Sequence, residues 1–158
     1  MLYNPFKLLL HVPVPWVFIL TYLFGVALEF VFPDRFLSPE ANRAYFIFGG
    51  VLFATAAAIA SWGWLIFRKA RTTTIPGRLS SKLVLWGPYR FSRNPMYLGL
   101  TFGYLGEAGL LQQIWPVVLV PFTVAYINCI VIPVEEVRLK DVFGLEYQAY
   151  CAKVRRWL

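Results

Sequence analysis

The sequence predicts an all-α integral membrane protein with about four transmembrane helices and a C-terminal amphipathic helix. Three observations carry that prediction. Hydrophobic residues make up 59% of the 158, charged residues only 15%, and the mean hydropathy is +0.60, well above soluble globular chains. The apolar residues gather into segments of about the length that crosses a bilayer, roughly 17–25 residues. The basic residues, which bring the net charge to +7, sit beside those segments. Arg68, Lys69, Arg71, Arg78, Lys82, Arg90 and Arg93 fall together, with no acidic residue between them. Clustering of this kind marks a cytoplasmic, lipid-headgroup-facing loop. It excludes the evenly basic face of a nucleic-acid-binding domain, so no nucleic-acid partner is expected.

The first span covers about 13–32. Lys7 before it resembles the start of a signal peptide, but Pro13 and Pro15 interrupt the run and no small-residue cleavage site follows. It reads as an uncleaved span. The second, 44–67, contains no charged residue. The third, 96–112, is shorter, glycine-rich and carries Glu107. The fourth, 114–134, is again uncharged. Gln112-Gln113 leaves room for a tight turn only, so the last two spans form a helical hairpin. The loop 68–95 holds Pro76-Gly77, Ser80-Ser81 and Gly87-Pro88, all turn chemistry. In the tail, 135–158, Val137, Phe143, Tyr147, Tyr150 and Val154 recur near helical spacing. This predicts an amphipathic helix, broken at Gly144, lying on the membrane or on the loop. Four spans place both termini on one side. Lys7, the basic loop and the basic tail make that side cytoplasmic, N-in and C-in. The whole chain, 1–158, is expected to be a single membrane-embedded domain with its functional site facing the cytoplasm.

Several chemistries are excluded. Cys129 and Cys151 have no CxxC spacing, and His11 is the sole histidine, so neither a disulfide framework nor a zinc or iron site is indicated. No P-loop, Ser-His-Asp order or dinucleotide fingerprint is present. Gly99-x-x-x-Gly103, with Gly106 and Gly109, reads as a close helix-packing face and leaves the oligomeric state open. Glu107 reads as an interfacial carboxylate near the far side.

Two stretches remain. In Arg93-Asn94-Pro95-x-Tyr97, Pro95 suits the first turn of a helix and Asn94 the N-cap before it. Arg93 is not explained that way. A guanidinium beside a helix N-terminus makes a carboxylate clamp. Glu135-Glu136 stands where the fourth span leaves the membrane. It either complements the helix dipole or binds an ammonium group. Arg93 and the glutamates together match an amino-acid zwitterion.

These stretches, "GPYRFSRNPMYLG" and "VEEVRLKDVFGLEYQAYCAKVRRW", resemble the isoprenylcysteine carboxyl methyltransferase family, to which phospholipid N-methyltransferases are related. The resemblance covers roughly residues 72 to 157. It implies a membrane enzyme that uses S-adenosylmethionine without a Rossmann domain and methylates a lipidic or hydrophobic acceptor, most simply a prenylcysteine-like carboxylate. By the same resemblance Gly87, Pro88, Tyr89, Arg93, Asn94, Pro95, Tyr97, Leu98, Gly99, Glu135 and Glu136 form the cofactor pocket. Arg93, Glu135 and Glu136 are the candidate catalytic residues: Arg93 for the cofactor carboxylate, the glutamates for its ammonium. No metal is implied. Asn94 stands where the eukaryotic prenylcysteine enzymes have histidine, and the tail Val154-Arg155-Arg156-Trp157 lacks the proline that often follows the valine. Both departures, with the short chain, point to a prokaryotic plasma-membrane form. Two rivals share some features. One is an NADPH-dependent sterol-reductase-like enzyme; the other is a non-enzymatic lipid-binding or scaffold protein.

Overall fold

Residues 12–33, 39–70 and 83–158 are described by the computed structural model, and among them every regular element is helical. Helix α1 is Val14–Val31, α2 is Pro39–Ala70, α3 is Pro95–Leu110, α4 is Ile114–Tyr126 and α5 is Ile132–Lys153. A 3-10 turn, Gly87–Arg90, precedes α3, and a π-turn, Ile127–Val131, joins α4 to α5.

Helix α1 buries one stripe, Val14, Phe18, Tyr22 and Gly25, at the spacing of a single helix face. The other large apolar side chains, among them Trp16, Leu20, Leu23 and Phe24, are exposed. A soluble protein would not tolerate that face; for a membrane helix the surrounding hydrocarbon is its natural solvent. Pro13 and Pro15, which interrupt the apolar run, fall at the helix start, where a missing N–H costs nothing.

Helix α2 is longer than the predicted 44–67. Its 32 residues extend about 48 Å, more than the roughly 30 Å hydrocarbon core. It therefore absorbs the charge-bearing residues 39–43, which the sequence reading had placed in a connection. Its far end carries Arg68, whose guanidinium lies 5.3 Å from the Trp64 ring centroid. The loop residues 71–82, including Arg71, Arg78 and Lys82, lie outside the described residues.

Three helical segments are long and apolar enough to cross a membrane: Val14–Val31, Ala41–Ile66 and the continuous Ile114–Lys153. The predicted third span, 96–112, is the shorter α3, whose 16 residues rise about 24 Å. Its glycines explain how it is accommodated: α3 lies against α2 at near backbone contact. A Cβ on Gly106 would stand 2.5 Å from Phe53 N, and one on Gly109 would stand 2.6 Å from Gly49 Cα. Gly99 and Gly103 face Ile59 and Ala56 of the same helix. The glycine face is thus used within the chain.

The predicted hairpin turn is present. Gln112 adopts φ 56°; its N–H bonds to Gly109 O at 3.2 Å and Gln113 N–H to Ala108 O at 2.9 Å. This is a Schellman ending with glutamine in the left-handed position. Tyr22 Oη donates to Gln113 Oε1 at 2.8 Å and Tyr45 Oη to Gln113 O at 3.0 Å, tying α1 and α2 to the turn. Glu107 is exposed in the last turn of α3, at the end remote from the 3-10 turn.

The boundary expected at 134/135 is not a break. The backbone runs helically from the fourth span, through the π-turn, into the tail, and leaves helical φ/ψ at Gly144 (φ 51°, ψ −123°), the residue read as the interruption. Tyr147 and Tyr150 are buried. Tyr150 brings the tail helix onto residues 89–92 of the loop.

The glycine contacts separate two outcomes. Gly106→Ala should destabilise the detergent-solubilised protein by about 2 kcal/mol, because backbone must move to admit the methyl. Gly103→Ala, which meets only Ala56 Cβ at 3.6 Å, should leave the unfolding midpoint unchanged or raised. Equal effects of the two substitutions would show that this helix pair is not packed as described.

Candidate functional site

At the end of the bundle where α3 begins, four pieces of chain meet: residues 83–94, the first turn of α3, the start of α5 and the C-terminal segment. Gly87 takes φ 66° and packs against Ile66 and Trp62 of α2. That turn lets Pro88 bury itself and starts the 3-10 turn. Tyr150 reaches in from the tail. Its hydroxyl donates to Tyr89 O at 2.7 Å, closing the loop onto α5.

Asn94 is the N-cap residue by position, with Pro95 following at N1, but its side chain does not cap α3. Instead, Ser92 Oγ accepts from the Asn94 backbone N–H at 3.1 Å, and Asn94 Nδ2 donates to Arg156 O at 2.9 Å. Ser92 Oγ also donates to Arg156 O at 3.2 Å, and Arg93 N–H donates to Arg155 O at 2.9 Å. The C-terminal segment is thereby laid along the loop, backbone to backbone.

The charges follow from that docking. Glu136 is held by Arg156 in a bidentate fork, Nε to Oε1 at 3.1 Å and Nη2 to Oε2 at 2.7 Å. Arg93 Nη1 approaches the same carboxylate at 3.3 Å and also donates to Cys151 Sγ. The fork raises the Arg156 guanidinium above its ordinary pKa, so it is a fixed cation. Glu135 is differently placed: its Oε1 accepts from Tyr97 Oη at 2.7 Å. Burial raises the Tyr89 phenol well above its usual value, helped by Tyr150 and by the Glu135 charge, so it stays neutral.

Tyr89, Arg93, Asn94, Glu135 and Glu136 line one cavity of about 120 Å³, with Leu83, Val84, Ile132, Leu139, Phe143, Tyr147 and Tyr150. Arg93 Nε is buried and has no partner, an unsatisfied donor of a charged group. Of the remaining sequence candidates, Tyr97 touches the site through Glu135, and Pro95 and Leu98 are in the first turn of α3. Gly87 and Pro88 shape the loop. Gly99 faces Ile59 of α2 and lines a separate, larger and apolar cavity between α1, α2 and α3.

The sequence reading named the tail's arginines but gave them no role, and it passed over Ser92 and Asn128. Asn128 Oδ1 accepts from Trp157 Nε1 at 3.0 Å and from Arg156 Nη1 at 3.4 Å. A primary amide in the otherwise uncharged run 114–134 was the available signal, since such groups find partners across helices. Among the described residues no group of His, Cys, Asp and Glu could hold a metal ion.

Fold and site together define an α-helical integral membrane protein with a charged, aromatic-walled cavity at one end of its bundle. The model of the family described as "Phospholipid methyltransferase" matches residues 44–146, and the chain belongs to that family. It is the family related to the isoprenylcysteine carboxyl methyltransferases. No curated protein and no solved structure gives a significant match.

Glu136 is the hub of this site. Glu136→Ala should cost about 2–3 kcal/mol in unfolding free energy, because it leaves two facing guanidiniums. Arg156 is one-third exposed (33%), which keeps the cost below that of a fully buried pair. An unfolding midpoint equal to the wild type's would rule out this network.

Proposed function

We propose that the chain is an S-adenosylmethionine-dependent methyltransferase acting on a lipidic or hydrophobic acceptor at the cytoplasmic face of a prokaryotic plasma membrane. One observation carries the reading: Arg93, whose guanidinium is only partly engaged, and the partly buried Glu135 carboxylate line the same cavity. Opposite charges so placed fit the carboxylate and ammonium of an amino-acid group. A cavity of about 120 Å³ is below the roughly 300–1,000 Å³ of whole-ligand pockets, so it accommodates the amino-acid part alone.

S-adenosylmethionine supplies an activated methyl group on a sulfonium centre. The chain's own residues bind and orient. Arg93 would hold the carboxylate from the cavity wall. Glu135 takes the ammonium, with Tyr97 holding its other oxygen in place. Glu136 is committed to Arg156 and Arg93, so it positions Arg93 rather than meeting the ligand. Phe143, Tyr147 and Tyr89 give the wall an aromatic surface suited to a cation. A carboxylate acceptor, as in a prenylcysteine-like lipid, already carries its lone pair and needs no base. An amine acceptor is the second reading. In that reading Glu135 would serve as the base in place of binding the ammonium, with its Oε1 held by Tyr97.

Calorimetry on the detergent-purified protein tests this. S-adenosylmethionine should bind the wild type, and Arg93→Ala and Glu135→Gln should each weaken binding about 10- to 100-fold, as loss of a charged hydrogen bond requires. No binding to folded wild type, in detergent or in nanodiscs, would overturn the assignment.

A further inference from the structure

Pro133 forces a register change in the fourth span. It lacks an N–H, and its ring excludes the carbonyl four residues earlier. The helix widens just before it, over Ile127–Val131, and Ile132 N–H bonds to Ile127 O, five residues back. Turns of this kind are rare and concentrate at functional sites. The residue placed in this one is Asn128, an amide inside an apolar run.

Asn128 Oδ1 receives Trp157 Nε1 and Arg156 Nη1. Both partners can only donate, so an acceptor is required at this position. The same Arg156 uses its other two nitrogens on Glu136. Its carbonyl is held by Ser92 and Asn94, and its neighbour's by Arg93 N–H. Asn128 therefore ties the membrane helix to the C-terminal segment, and that segment to the loop carrying Arg93.

We propose that Asn128 is a positioning residue for the methyl-donor cavity. It clamps the C-terminal segment through Trp157 and Arg156, so that Arg156 saturates Glu136 and Glu136 holds Arg93 in the cavity wall. The donor part of this inference rests on the function proposed above; the clamp does not. Asn128 lines neither cavity and acts through the tail.

The test uses the full chain in detergent and two readouts: hydrogen exchange of peptides covering residues 87–95 and 150–158, and calorimetric binding of S-adenosylmethionine. Asn128→Leu removes the acceptor at similar size. Asn128→Asp keeps it. Asn128→Leu should speed exchange in both peptides and weaken binding about tenfold, the equivalent of one hydrogen bond. Asn128→Asp should restore both to within about threefold of wild type. Exchange and affinity unchanged in Asn128→Leu would overturn the proposal. So would equal impairment of both variants with a lowered melting temperature, since that marks a merely structural role. If the wild type binds no S-adenosylmethionine while Asn128→Leu still speeds exchange, the clamp is upheld and the donor assignment falls.

Discussion

Everything at the charged end of the bundle depends on one carboxylate shared by two guanidiniums. Glu136 stands where an apolar helix becomes polar, and it is mostly shielded from water (17% exposed). A lone carboxylate there would be costly to desolvate. Two arginines remove that cost, but they come from opposite directions: Arg93 from the loop before α3, Arg156 from the C-terminal segment. Satisfying Glu136 therefore requires the loop and the tail to meet. Once they meet, the backbone bond from Arg93 to Arg155 and the side chains of Ser92 and Asn94 fasten them along their length.

That fastening also accounts for the backbone irregularities. Pro133 and the π-turn aim Asn128 at the tail, and Gly144 bends α5 so that Tyr147 and Tyr150 return over the loop. A straight helix through Gly144 would carry those tyrosines elsewhere. Its φ of 51° suits a residue without Cβ, and nothing lies within 4 Å of where a Cβ would stand. The glycine is there for the bend and not for close packing. On α3 the reverse holds: Gly106 and Gly109 are helical and needed for approach to α2.

The fold was legible wherever one dominant pattern fixed it. Continuous apolar runs gave α1, the core of α2 and α4, and the paired glutamines gave the turn between α3 and α4. Legibility failed where helical backbone outlasts the hydrophobic pattern. Glu40, Asn42 and Arg43 are polar yet helical, and the helix continues through Glu135, because hydrogen bonds along a helix do not register where the bilayer ends. In the site, Arg93 and the two glutamates were singled out by charge at a membrane boundary. What the sequence could not apportion is which carboxylate is already engaged. That depends on Arg156, 20 residues beyond Glu136, folding back past a kink. Asn94 shows the same limit. Its position as a helix start was readable, whereas the direction of its amide was decided by a carbonyl 62 residues away.

Tyr97 marks where the two halves of the proposed chemistry meet. It lies one turn into α3, at the start of the apolar segment, and its hydroxyl reaches back to Glu135. Glu135 lines the small charged cavity, and Tyr97 packs against the apolar core of the bundle. A polar donor can be held only where charges are available, and a lipidic acceptor only where hydrocarbon is tolerated. The proposed chemistry belongs at the bundle's end, where a helix start, a helix exit and a docked tail converge.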